Sequence, residues 1–174
     1  MKRSNLEKVL LLLVLGLFVM GCSKEETPEE EVVEIIGVWN CSSVDYTGTS
    51  VTEVFGQSIS SDFVGKGYNV DFTFSLSEDP NVATTTGSYD IKLTTTTLGQ
   101  SYVQNIEDIA FVYVGSWSQA GDKLTINREG ETSVATITAM TDSLLELNFV
   151  EERTMNNGGA NVTITTDTDM IFTR

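Results

Sequence analysis

No histidine occurs among the 174 residues, and proline and cysteine occur only twice each. The missing imidazole removes the usual general base, the usual activator of a serine or cysteine nucleophile and the commonest metal-binding nitrogen. His-dependent hydrolysis and Cys/His zinc sites are therefore excluded. Cations are scarce as well, with 10 Lys and Arg against 25 Asp and Glu, for a formal charge of −15. Without a cluster of basic residues there is no stripe on which to lay a polyanion, so nucleic acid is not a partner. The carboxylate excess describes a soluble, self-repelling surface instead.

Carboxylates alone can still run glycosidase chemistry. The adjacent Glu151 and Glu152 point to opposite faces of any strand, however, and Asp167 and Asp169 share a face that is polar. Solvated surface groups account for both pairs, and no catalytic residue is assigned. The acidic loop Ser77-Glu78-Asp79-Pro80-Asn81 lacks the regular ligand spacing of a dedicated cation loop and reads as a turn, so no metal site or cofactor is expected.

The chain begins with Lys2, Arg3 and Lys8, followed by an unbroken apolar run from Val9 to Met20 and then Gly21-Cys22. A run of that length falls short of the roughly 20 residues that cross a bilayer, and suits the apolar region of a cleaved leader. Residues 1–21 are accordingly expected to be a signal peptide. Its removal takes away three cations and only Glu7 among the anions, shifting the formal charge from −15 to −17. Val19-Met20-Gly21-Cys22 resembles the lipobox of bacterial lipoproteins. That likeness implies cleavage between Gly21 and Cys22 and a diacylglycerol on the Cys22 sulfur, enough apolar chain for stable anchoring. The alternative use of Cys22 is a disulfide to Cys41; with Cys22 lipidated, Cys41 is a lone thiol, most simply a small buried hydrophobe.

After the cysteine, Ser23-Lys24-Glu25-Glu26 resembles the export signal of surface lipoproteins of Bacteroidetes, which implies an outer-membrane protein displayed on the cell surface instead of facing the periplasm. Glu25, Glu26, Glu29, Glu30 and Glu31 also make residues 22–34 an acidic tether extended by self-repulsion.

From residue 35 onward the pattern changes to period two. Tyr68, Val70, Phe72, Phe74 and Leu76 alternate with polar residues, as do Val162, Ile164, Thr166, Thr168, Met170 and Phe172 near the end. Such alternation predicts half-buried antiparallel strands. Further strands are expected over 35–46, 88–95, 100–106, 109–118, 123–128, 132–140 and 144–154, separated by turns at Gly121-Asp122, Glu129-Gly130, Thr141-Asp142-Ser143 and Asn156-Asn157-Gly158-Gly159. Val51, Val54, Phe55 and Ile59 fall near one helical face, so a short helix is predicted within 50–60. Domain 35–174 is thus all-β, a single antiparallel up-and-down meander of about eight strands. Barrel closure is the economical way to remove its two long edges.

Ile36-Gly37-Val38-Trp39 at the start of the first strand, the short helix, the meander and the closing Met170-Ile171-Phe172-Thr173-Arg174 together resemble the lipocalin-like domain of Bacteroidetes lipoproteins. The resemblance implies an eight-stranded barrel closed at one end by Trp39, with Arg174 covering its ring, and open at the other. It also implies a small hydrophobic ligand, for which Tyr68, Phe72, Phe74, Phe111 and Tyr113 are the cavity candidates. The rival reading is a structural or interaction lipoprotein whose barrel is filled by side chains and whose acidic surface meets a partner. Asp142-Ser143-Leu144 resembles a short acceptor motif for O-glycosylation on Ser143.

Overall fold

The computed structural model describes residues 34–174, and within them the chain forms nine antiparallel strands and no helix. The expected leader, the Gly21/Cys22 cleavage point, lipidation of Cys22, the Ser23, Lys24, Glu25 and Glu26 signal and all but the last residue of the tether lie outside the described residues. The strands are β1 (Gly37–Val54), β2 (Gln57–Ser77), β3 (Val82–Thr97), β4 (Gln100–Ala110), β5 (Tyr113–Ala120), β6 (Lys123–Arg128), β7 (Glu131–Met140), β8 (Leu144–Asn157) and β9 (Ala160–Thr173).

Each strand pairs with its sequence neighbour, except that β4 and β5 lie end to end along one edge of β3. Ser88–Thr97 of β3 pairs with β4, and Val82–Thr85 with β5. The segment expected as one strand over 109–118 is broken at Phe111-Val112, so nine strands occupy eight positions. β1 also pairs with β9, from Asn40 opposite Thr173 to Glu53 opposite Asn161, which closes the ring.

The predicted helix is absent. Val54-Phe55-Gly56-Gln57 is the two-residue turn of a long hairpin, with φ of 48° at Phe55 and 79° at Gly56. Positive φ at both central residues is the backbone that twisted hairpins select. The apolar spacing that suggested a helix instead runs up one strand and down the next. Threonine and serine stabilise these long ladders by pairing across them, as in Ser61 with Thr97 and Thr154 with Thr163.

Two irregularities reset the inward parity. A register shift between Cys41 and Ser43 lets Trp39 and Cys41 below it, and Val44 and Tyr46 above it, all face inward. A second shift, between Tyr68 and Asp71 of β2, carries Asn69 at φ 49°. Phe72, Phe74 and Leu76 are buried below it, whereas Tyr68 shares the parity of the exposed Lys66.

The inward residues meet at one end of the ring. Trp39, Leu76, Leu124, Leu145, Leu147 and Phe172 are almost wholly removed from water, each such side chain contributing about 1.5–3 kcal/mol. The Trp39 indole N–H donates to the Ile35 carbonyl at 2.8 Å. Arg174 lies over the ring, its guanidinium carbon 4.1 Å from the centroid. It also donates to the carbonyls of Asp142, Ile36 and Glu34, tying the last residue to the start of β1. Gly37, at φ 132°, stands where a Cβ would come within 3.0 Å of Arg174 Nη1, so the Gly-x-Trp spacing admits the arginine.

Arg174→Ala, which forfeits these hydrogen bonds and the cation–π contact, is expected to cost about 1–2 kcal/mol, measured by denaturant unfolding; an unchanged midpoint would contradict the clamp. Cys41 is a buried thiol whose pKa is pushed by burial from 9.0 up to about 12. It stays protonated in the folded chain while the unfolded chain ionises first, so its contribution to stability falls as pH rises through this interval. In the Cys22→Ser chain, a thiol reagent at pH 8 should label Cys41 only after unfolding, and rapid labelling of the native protein would refute its burial.

Candidate functional site

Above the Trp39 floor the barrel is not filled. A cavity of about 390 Å³ opens there, bounded by inward residues of every strand but β4 and by Phe111 at the β4/β5 break. Its base is Phe74, Ile126, Leu147, Met170 and Phe172. Aromatic packing beside them holds these rings and chains: Phe72 packs 4.9 Å from Phe111 and 5.9 Å from Phe172, and Phe74 lies 5.6 Å from Phe172, between ring centroids. Phe111 is turned inward by its backbone N–H, which donates to the Gly87 carbonyl at 2.9 Å. Gly87, at φ 123°, allows the approach of β3 to β2, since a Cβ there would collide with the backbone of Asp71 and Phe72.

The cavity opens because one part of the wall is low. β6 and β7 turn back at Glu129-Gly130, and β7 pairs with β8 only from Ala135 opposite Phe149 downward. Among the described residues, Val150–Asn157 of β8 have no ladder partner on that side, and β4 has none on the side away from β3. Around the gap stand Arg128, Glu131, Ser133, Glu151 and Arg153. Charge therefore sits at the mouth and apolar surface inside. Arg128 lies 5.4 Å from the Tyr113 ring centroid and is paired with Glu129 at 3.8 Å. Burial raises the Tyr113 pKa, with Arg128 opposing more weakly.

Besides Ser133 at the mouth and the Tyr113 phenol beside Arg128, hydroxyls of Tyr46, Thr85 and Thr168 interrupt the apolar lining. Tyr46 and Tyr89 share a hydrogen bond between their phenol oxygens. Both phenols are held neutral, their pKa values raised first by burial. Thr168 is the cross-strand partner of Tyr46, and Thr85 lies deeper, opposite Phe74 and Tyr113.

Of the residues singled out from sequence, Phe74, Phe111 and Tyr113 line this cavity. Phe72 is buried in the supporting layer. Tyr68 is a correction: the bulge at Asn69 turns it outward into a shallow depression with Lys66, Lys92 and Asn105. Ile126, Leu147, Thr85, Thr168 and the two rim arginines were not anticipated. For Arg128 the signal was present, since it continues the inward parity of Leu124 and Ile126. Glu151 stands at the rim, whereas Asp167 and Asp169 lie on the outer face, bridged by the Asn148 amide at 2.5 and 2.9 Å. Among the described residues no group of three or more acidic or cysteine side chains is placed to hold a metal ion.

Comparison with known proteins agrees with this geometry. The family model described as a lipocalin-like domain matches residues 35–147, from the Trp39 segment to the start of β8. No curated protein and no solved structure matches the chain. Members of the matched family are typically binding proteins without enzymatic activity. On the ring-closed meander, the Trp39 floor and this match over most of the folded part, the chain belongs to the lipocalin-like domain family.

Proposed function

We propose that this protein is a lipid-anchored carrier that holds one small, largely apolar molecule inside its barrel. The observation that carries the reading is the cavity of about 390 Å³, within the range that small-molecule pockets occupy. Its aromatic and aliphatic base offers the dispersion and hydrophobic energy that an apolar guest needs, and the charged rim keeps an empty mouth soluble. The rival reading, a filled barrel acting through its acidic surface, fits the lower half of the ring, where Trp39 and Leu76 leave no room, but not the space above them.

The anchor in this proposal is diacylglycerol on Cys22, supported by the Val19-Met20-Gly21-Cys22 spacing and the short apolar run before it. Ser23, Lys24, Glu25 and Glu26 support display at the outer membrane surface. The acidic tether would then stand the barrel off from the bilayer. A carrier of this kind needs no catalytic residue and no metal.

Titration of the Cys22→Ser chain freed of residues 1–21 with N-phenyl-1-naphthylamine is expected to give saturable fluorescence at one site per chain. Ser133→Trp, placed in the mouth, should weaken binding at least about tenfold while leaving the melting temperature nearly unchanged, since the site is at the rim. Absence of saturation, or indifference to the tryptophan, would count against the carrier. For the anchor, cells fed radioactive palmitate should yield labelled wild-type protein and unlabelled Cys22→Ser protein; an unlabelled wild type would remove it.

A further inference from the structure

The cavity contains a polar group that has no partner among the described residues. Thr85 is 4% exposed, lines the cavity on the inward face of β3, and its Oγ1 makes no hydrogen bond to any described residue. Buried hydroxyls are almost always satisfied, because leaving one unpaired forfeits its hydration with nothing in return. A valine would fill the same volume in this strand without that cost. Higher on the wall stands Tyr46, whose phenol shares a hydrogen bond with that of Tyr89. Their mutual bond engages one of two phenolic protons, and the other has no acceptor among the described residues. Thr168, beside Tyr46, is 7% exposed and also lines the cavity. Hydroxyl donors thus stand at two depths of an otherwise apolar chamber.

Building on the carrier reading, we propose that the guest bears a neutral oxygen function, a carbonyl or ether, whose lone pairs accept the Thr85 hydroxyl at the base of the cavity. An ionised carboxylate does not suit this position. Among the described residues no cation reaches the base: Arg128 and Arg153 stand at the rim, and an unpaired anion beside Phe74 and Phe172 would be stripped of water. The burial that keeps Tyr46 and Tyr89 protonated acts against any buried anion in the same way. The fit is therefore to a ketone, ester, quinone or ether of apolar body, with any charged end left at the mouth.

The test uses three naphthalenes of nearly equal size, 2-acetylnaphthalene, 2-isopropenylnaphthalene and 2-naphthoate, competing with N-phenyl-1-naphthylamine on the Cys22→Ser chain and on the same chain carrying Thr85→Val. Thr85→Val should weaken the ketone roughly three- to tenfold, the span expected for one neutral hydrogen bond, and leave the hydrocarbon unchanged or tighter. The carboxylate should bind more weakly than the ketone. Without ligand, Thr85→Val should melt at the same temperature or higher, because it deletes an unpaired group. Equal effects on ketone and hydrocarbon, a carboxylate that outbinds the ketone, or a clearly lower melting temperature each overturn this assignment while leaving the carrier reading intact. Failure of all three compounds and of the fluorophore to bind the parent chain overturns both.

Discussion

The structure depends on the first strand finding the last. β1 and β9 are separated by more than a hundred residues, and their pairing converts a meander with two long edges into a ring. Until it forms, neither the Trp39 floor nor the cavity exists, because the inward faces of the strands have nothing opposite them. Arg174 reinforces the seam, reaching from the end of β9 to the carbonyls that precede β1 and to the face of Trp39. Such closure brings together residues far apart in sequence and is slow to form for that reason; in exchange it leaves the lower part of the sheet with no free edge.

The cavity follows from strands of unequal length around that ring. The hairpins β1–β2, β3–β4 and β8–β9 run well past the core, while β6–β7 stops at Glu129-Gly130. The core fills the lower part, where all eight positions are occupied, and the missing upper part of the β6–β7 wall gives access to the space above. Rim charges, apolar walls and a base with an unpaired hydroxyl then form a gradient from water inward.

Much of this was legible in the residues. Alternation in Phe72, Phe74 and Leu76, and in the closing strand, declared a sheet with one face buried, and β6 lies where its turn residues put it. The family likeness drawn from Ile36-Gly37-Val38-Trp39 and the order of strands agrees with the match over 35–147. What failed did so for local reasons. Phe55 occupies a positive-φ turn position where asparagine or glycine is usual, so the hairpin was read as helix. Tyr68 continues the apolar parity of β2, but a bulge at Asn69 shifts the phase, and the buried position above it is Gly65, which has no side chain to mark the change. The cavity itself was beyond sequence, because it depends on how high β6 and β7 rise against β4 and β8. Thr85 is one threonine among many in the sequence; its distinction is the lack of a partner among the described residues, which only three dimensions reveal.

The central claim is that the barrel encloses open apolar space beneath a charged mouth. Xenon tests this directly, since it enters dry cavities without needing a specific chemical group. Crystals of the Cys22→Ser chain under xenon pressure should show an anomalous peak among Phe74, Phe111, Leu147 and Met170 and none in the layer around Trp39. A structure in which those four side chains meet and exclude the gas would contradict the account.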